Sequence, residues 1–128
     1  MTAPLLDPSN SDLVSINVRH SGSTVLVTAA GEIDSTSSPV LRQRLDDLLD
    51  GEARELTVDL GGVTFLDSAG LCVLASAHRR AVHQGVRLRV LASSRAVIRP
   101  LEITGLWQLL DAEKVESGAP LQDEVAAG

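Results

Sequence analysis

The sequence predicts a single α/β domain with a mixed sheet of four to five strands, in which an antiparallel hairpin precedes parallel strands and helices flank the sheet. The chain has 128 residues and is 44% hydrophobic, which suits one ordinary globular domain. Two alternating apolar segments follow each other across a short turn near the N-terminus, a pattern typical of a hairpin. Later strands alternate with helical patterns, and such crossovers make neighbouring strands parallel. The predicted order is therefore β-β-α-β-α-β-α.

The N-terminal segment is predicted as a flexible leader followed by the hairpin. Residues 1–11 combine Pro, Ser and Asn without apolar periodicity, which is typical of chain outside a packed core. The domain itself is predicted over residues 12–111. Ser21 and Gly22 form a turn, and the second strand covers Thr24–Ala29. The first strand has apolar residues at every second position, namely Val14, Ile16 and Val18.

Two segments each carry one apolar helical face. Ser38 is predicted to cap the first helix and Pro39 to occupy its first turn. Gly51 ends this helix, and Gly85 ends the second. The predicted apolar face comprises Leu41, Leu45, Leu48 and Leu49 in the first helix, and Leu71, Leu74, His78, Ala81 and Val82 in the second.

Two more strands and a third helix complete the predicted domain. Ser93 and Ser94 cap the third helix, Pro100 implies a kink or a short helix that restarts, and Gly105 ends it. Residues 112–128 lose strong periodicity and are predicted as a C-terminal tail or a short helix. The strands are marked by Leu56, Val58 and Leu60, and by Val86, Leu88 and Val90. The predicted core includes Leu41, Leu45, Leu48, Val58, Leu71, Leu74 and Val90.

Composition and charge exclude several classes of function. The net charge is −6, the 11 Lys and Arg residues are dispersed, and aromatics make up 2% of the chain, so neither a phosphate-binding patch nor a base-stacking surface is expected. No apolar run approaches the ~20 residues that cross a bilayer. The sequence thus predicts a cytoplasmic protein that binds neither nucleic acid nor membrane. Cys72 is the single cysteine, which excludes an internal disulfide, and it is predicted to be buried.

The most informative stretch is VTFLDSAGL at 63–71. We predict a loop over Gly61–Asp67, which places Ser68 at or beside the start of the second helix. Ser68 or Asp67 could simply cap that helix. Alternatively, the small neighbours Ala69 and Gly70 leave the Ser68 hydroxyl accessible to the active site of another protein.

Hydrolase chemistry is a poor match to this stretch. The nucleophile motif G-x-S-x-G has its second glycine at Gly70, but Leu66 stands at the position of the first. His78 and His83 are five residues apart, or about 140° around a helix, so they share no metal-binding face. The residues therefore give little support to a serine hydrolase, and no metal site is expected on this helix.

Carboxylates follow two of the predicted strands. Asp34 lies in the GEID segment after the second strand, and Asp59 ends the third. If these strands are parallel neighbours, their following loops open at one sheet edge, which brings Asp34 near Asp67 and Ser68. Such a group could bind a metal, act in acid and base catalysis, contact basic groups of a partner, or be a solvated loop. We expect Asp34→Ala to leave the melting temperature nearly unchanged.

Four features of the sequence together resemble the STAS domain of bacterial anti-sigma factor antagonists. They are GEID at 31–34, a helix beginning near Pro39, LTVDL at 56–60 and DSAGL at 67–71. The similarity covers about residues 13–110. It implies a protein that is not an enzyme and acts by partner switching. A partner that is both a serine kinase and an anti-sigma factor would phosphorylate Ser68, and a serine phosphatase would reverse the reaction. The resemblance places Asp34 and Asp67 at the partner surface, beside Ser68, Ala69 and Gly70.

Another use of this fold stays open at the level of sequence. STAS-like domains also serve as scaffold subunits or as accessory subunits of transport systems, in which no phosphorylation switch operates. The serine at position 68 favours the switch.

Overall fold

The computed structural model describes residues 13–115, so the predicted leader over residues 1–11 lies outside the described residues. The chain forms a mixed five-stranded sheet with helices in the crossover connections. Its elements are β1 Val14–Ser21, β2 Thr24–Ile33, α1 Ser38–Leu49, β3 Glu55–Leu66, α2 Ser68–Gln84, β4 Arg87–Ala92, α3 Arg95–Ile103, α4 Leu106–Leu109 and β5 Ala112–Lys114.

The strands lie in the order β1-β2-β3-β4-β5. β1 and β2 are antiparallel, whereas each later pair of neighbours is parallel. The turn at Ser21 and Gly22 allows the antiparallel pairing because a hairpin needs only a short connection. α1 and α2 pack against each other, and α3 packs against β3. The predicted mixed sheet is therefore confirmed.

The core confirms most of the predicted apolar positions. Alternate residues of β2 and β3 are buried, as expected for strands with one face against helices. Leu48 and Leu71 are only partly buried at the edge of the core. The predicted core residues that are fully buried are Leu41, Leu45, Val58, Leu74 and Val90.

The orientation of α2 differs from the prediction. Cys72 is exposed, although its residue type predicts burial. Val82 retains 67% of its accessible surface, although periodicity places it on the predicted apolar face. Apolar residues occur almost all round α2, so periodicity alone does not select the buried face. Packing against α1, β3 and β4 selects it instead. The buried residues of α2 are Gly70, Val73, Leu74, Ala77 and Ala81.

Helix boundaries differ at two places. α1 begins at Ser38 after Ser37 as N-cap, one residue earlier than the predicted cap at Ser38. Pro100 lies within α3, and the helical path breaks at Gly105, whose φ is 80°. The chain then restarts as α4, as predicted for a short helix that restarts, but the break is at the glycine because a positive φ suits a residue without a Cβ.

The C-terminal part of the described chain differs from the predicted tail or short helix. Ala112–Lys114 form β5, an edge strand that pairs in parallel with Val90–Ala92. Val115 continues the contact by donating its amide to the Ala92 carbonyl at 2.8 Å. Strand pairing uses backbone groups, so this short segment needs no apolar alternation to join the sheet. Residues 116–128 lie outside the described residues.

Candidate functional site

β3 is longer than its side-chain pattern predicts, and its extension builds the site. Asp59 lies within the strand rather than at its end, and Gly61–Leu66 continue the strand where a loop was predicted. β3 pairs with β4 only as far as Asp59. Beyond that point it pairs with β2 through two register shifts. Each shift inserts one extra residue into β3, which disrupts the alternation that the sequence-based prediction relies on.

Close backbone contacts support the irregular half of β3. Gly31 has a φ of +107°, and a Cβ there would lie 2.1 Å from the Leu13 carbonyl oxygen. On the opposite side, the Ser93 hydroxyl donates to the Gly61 carbonyl at 3.0 Å, and that of Ser94 lies 3.2 Å from the Val63 carbonyl. These bonds satisfy carbonyls that no longer pair with β4.

The ends of β2 and β3 bring two aspartates to the same edge of the sheet. Ile33 is the register partner of Leu66, and the Asp67 amide donates to the Ile33 carbonyl at 3.2 Å. Asp34 and Asp67 each follow one of these paired residues. The predicted convergence of the two loops at one edge of the sheet is therefore confirmed.

Asp67, not Ser68, caps α2. Its Oδ1 accepts from the amide of Ala69 at 2.9 Å and from that of Gly70 at 3.4 Å. Ser68 is the first residue of the helix and is exposed. No side-chain hydrogen bond of Ser68 is found in residues 13–115. Because Asp67 satisfies the free amides, the hydroxyl of Ser68 is available to another molecule.

Gly70 differs from the expectation that it leaves space for a partner. It is buried, and a Cβ built on it would lie 2.4 Å from Leu66 Cδ1 and 2.8 Å from Ile33 Cγ2. The absence of a side chain thus lets the first turn of α2 pack onto the ends of β2 and β3. Through this packing Gly70 fixes the position of the first helical turn, which contains Ser68, whereas Ala69 remains partly exposed.

Asp34 organises its own loop. Its Oδ1 accepts from the amides of Thr36 at 2.8 Å and of Ser37 at 3.0 Å. The buried Ser37 hydroxyl accepts from the Asp34 amide at 3.0 Å and donates to the Glu32 carbonyl at 2.7 Å. The Ser37 amide, more than any other group, holds the pKa of Asp34 below its ordinary value.

Other chemistry finds little support in the described part of the chain. Residues 13–115 contain no group of three or more His, Cys, Asp or Glu side chains that could hold a metal ion. His78 lies ten residues along α2 from Ser68, a rise of about 15 Å. None of the helices in this region is both long and apolar enough to span a membrane.

Comparison with known proteins identifies the family. The model of the family described as "Mlab, STAS domain" matches residues 16–111. The anti-sigma-B factor antagonist of Bacillus subtilis is 32% identical over 105 residues, which cover 82% of this chain and 95% of that protein. The chain belongs to the STAS-domain family of anti-sigma factor antagonists.

Solved structures agree with this assignment. An anti-sigma factor antagonist from Mycobacterium paratuberculosis superimposes on this STAS domain with a TM-score of 0.75 and 28% identity, over 93% of this chain and 97% of the other. The anti-sigma factor antagonist SpoIIAA, at 16% identity and a TM-score of 0.70, shares the fold over 88% of this chain and 95% of its own.

Sequence reasoning missed Ser37 as a structural residue of this STAS domain. Its hydroxyl connects the end of β2 to the start of α1. The available signal is an aspartate followed three residues later by a serine, directly before a helix with proline in its first turn. That spacing is typical of Asx turns and related loop motifs, in which short polar side chains bond nearby backbone groups.

Gly70→Ala is expected to destabilise the STAS domain by about 1–3 kcal/mol, because the added methyl group overlaps Leu66 and Ile33. Urea unfolding measures this change. Gly51→Ala is the matched control, since its Cβ would meet only an ordinary contact of 3.5 Å with the Leu48 carbonyl. Equal stability of the two variants would contradict the packing role of Gly70.

Asp34→Ala is expected to lower the melting temperature, contrary to the sequence-based expectation, because two backbone amides lose their acceptor. Asp34→Asn keeps an acceptor oxygen and should unfold between the wild type and Asp34→Ala at pH 7.

The pH dependence of the same variants follows from the lowered pKa of Asp34. An acid with a depressed folded-state pKa stabilises the fold above its ordinary pKa of 3.8, and this contribution is lost as the pH falls through the folded-state value. The difference between wild type and Asp34→Asn should therefore shrink below pH 3.8. A carboxyl titration by NMR with a midpoint above 3.8 would contradict this account.

Proposed function

We propose that this protein is an anti-sigma factor antagonist that acts by partner switching. In its unmodified form it binds an anti-sigma factor with serine kinase activity and thereby releases a sigma factor. Phosphorylation of Ser68 ends this binding, and a serine phosphatase restores it. The protein itself acts as a binding protein in the cytoplasm, without a cofactor, a catalytic site or direct contact with nucleic acid.

The observation that carries this proposal is that capping and exposure fall to two different residues at the start of α2. Asp67 makes both capping bonds, and the adjacent Ser68 is exposed. A serine that capped the helix would have to break its own bonds to enter a kinase active site. Ser68 has no such bonds among the described residues, so phosphorylation leaves the cap intact.

Local charge explains how a phosphate would switch binding without unfolding the domain. The amides of Ala69 and Gly70 are already bonded to Asp67, but the dipole at a helix N-terminus still favours an anion. A phosphate would also join Asp34 and Asp67 in one acidic patch beside the partner surface. The fold thus tolerates the modification, while a partner that docks against this patch is repelled.

The experiment uses the full-length protein and the anti-sigma factor kinases of the same organism. The purified protein is titrated with each kinase in the presence of ADP, and then incubated with kinase and ATP before the phosphosite is mapped. We expect one kinase to bind the unmodified protein and to phosphorylate Ser68 alone. Phosphorylation elsewhere, or stable co-purification with transport proteins in place of any anti-sigma factor, would overturn the proposal and favour the scaffold alternative.

The conservative variant Ser68→Ala separates binding from modification. It should bind the anti-sigma factor as the wild type does, because an alanine at the first helical position leaves the Asp67 cap intact. It should not incorporate phosphate, and ATP should not release it from the partner. A Ser68→Ala protein that ATP still releases would show that the switch is elsewhere.

A further inference from the structure

An open groove lies beside Ser68, between the end of β3 and α3. Its volume is about 540 Å³, and its lining residues are Phe65, Leu66, Arg95, Ala96, Arg99 and Pro100. None of these residues has a role in the switch described above. The groove adjoins the switch because Leu66 immediately precedes Asp67 and Ser68 in the chain.

One wall of the groove is apolar and exposed. Phe65 is the only phenylalanine of the chain, and 46% of its surface is accessible. Ile103 lies outside the lining of the groove. It is 72% exposed, and the helical repeat of 100° per residue places it between Arg99 and Pro100 around α3. Exposed aromatic side chains and arginines are enriched at protein interfaces relative to the rest of the protein surface.

The other wall is positively charged, in a chain whose net charge is −6. Arg95 and Arg99 lie one turn apart on α3, and both are exposed. Three other arginines, Arg80, Arg87 and Arg89, form ion pairs. Arg95 and Arg99 belong to the larger group of arginines that form no ion pair with a carboxylate of residues 13–115. The groove therefore offers two guanidinium groups to carboxylates from outside the domain.

We propose that this groove is a docking site for an acidic segment of the anti-sigma factor, in which an apolar side chain packs on Phe65 and Pro100 while flanking carboxylates bind Arg95 and Arg99. The inference rests on the proposed function and deepens it, since it names the chemistry of the partner segment. The groove, with Arg95 and Arg99, and the acidic patch at Asp34 and Asp67 have opposite charges. This polarity fixes the orientation in which a partner docks.

The groove also separates recognition from switching. A phosphate on Ser68 adds charge at the start of α2 but removes none of the groove contacts. The groove should therefore contribute to encounter with the kinase as well as to binding of the unmodified form. Loss of its charge should lower both the affinity for the anti-sigma factor and kcat/KM for phosphorylation of Ser68.

The test is the double charge reversal Arg95→Glu with Arg99→Glu, measured against the kinase that binds the wild type. Both arginines are exposed, so the melting temperature should change little. We expect the affinity to fall at least about 10-fold, mainly because association is slower. The difference in association rate between the variant and the wild type should shrink at high salt. Arg19→Glu with Arg54→Glu is the matched control, because it changes the charge by the same amount. Arg19 lies opposite Leu26 on β1, Arg54 immediately precedes β3, and both are exposed outside the groove.

A second variant tests the apolar wall. Phe65→Ser should weaken binding by a similar factor, and its melting temperature reports whether the domain remains folded. If it unfolds, Ile103→Ser at the 72% exposed position on α3 tests the apolar surface next to the groove without disturbing β3.

The outcomes distinguish the two proposals. If the charge reversal binds and is phosphorylated as the wild type is, while phosphorylation of Ser68 still releases the partner, the groove proposal is overturned and the switch stands. If the charge reversal weakens binding no more than the double control Arg19→Glu with Arg54→Glu does, the positive wall has no specific role. If no anti-sigma factor binds the wild type at all, the proposed function fails first. A Glu→Lys or Asp→Lys change in the partner that restores its binding to the charge-reversed variant would identify the docking segment directly.

Discussion

Phosphorylation of Ser68 is expected to lower the affinity for the anti-sigma factor about 30- to 150-fold, equivalent to about 2–3 kcal/mol of binding free energy, while the domain remains folded. The phosphate adds about −1.5 to −2 charges at a position that already has Asp34 and Asp67 as neighbours. It also adds volume beside Ala69, whose small side chain otherwise allows a partner to approach closely. Repulsion and bulk both act on docking, whereas the helix N-terminus accommodates the anion.

Calorimetric titration of the phosphorylated and unmodified proteins measures this loss, and circular dichroism with thermal unfolding tests the fold. Ser15→Glu is the matched control for added charge, because Ser15 is exposed on β1 and pairs with Ala30. The control should bind as the wild type does. A phosphorylated protein that had unfolded would contradict the proposed mechanism, and one that bound with full affinity would contradict the switch itself.

Leu74→Ala is expected to cost about 2–5 kcal/mol of folding free energy. Leu74 lies in the second turn of α2 with 0% of its surface accessible, within the main hydrophobic core. Truncation removes buried apolar surface and leaves a cavity between α2 and its neighbours. The loss is a large part of the 5–15 kcal/mol that stabilises an ordinary domain.

Urea unfolding at neutral pH measures the effect of Leu74→Ala. Val82→Ala on the same helix is the matched control, because Val82 is 67% exposed and its truncation should change the free energy by less than about 0.5 kcal/mol. Equal destabilisation by the two variants would show that the buried face of α2 is assigned incorrectly.

The variants also separate the roles of neighbouring residues at the switch. Gly70 and Asp67 determine where the first turn of α2 lies, and Asp34 determines the shape of the adjacent loop. Substitutions at these positions therefore affect stability as well as binding. Ser68, Arg95 and Arg99 are exposed, so their effects should be confined to partner interactions.

Much of the fold was predictable because it depends on patterns within short stretches of sequence. Alternation in β1 and β2, the apolar face of α1 and the glycines after α1 and α2 are local properties. The mixed sheet then follows from the short turn after β1 and from the helical crossovers. The family was likewise recognisable from short segments, since GEID and DSAGL lie at the ends of the two strands that meet at the site.

Tertiary structure decided the features that depend on neighbours distant in the chain. The extension of β3 through Leu66 arises from pairing with β2 by way of two register shifts. Because these shifts interrupt the alternation of apolar residues, the pattern of the sequence does not reveal the extension. The burial of Gly70 arises from contact with Ile33 and Leu66. The short strand β5 exists because β4 offers a free edge, not because its side chains require it.

The sequence by itself determined the class of this protein: an α/β domain with a serine at a strand-to-helix junction and carboxylates near it. Only the folded chain decided which residue caps α2, which of the small residues is buried, and where the charges lie around Ser68. The physical reason is that capping, packing and charge complementarity are relations between groups in space. Phe65, Arg95 and Arg99 have no shared motif in the sequence, and only the approach of α3 to the end of β3 makes them one groove.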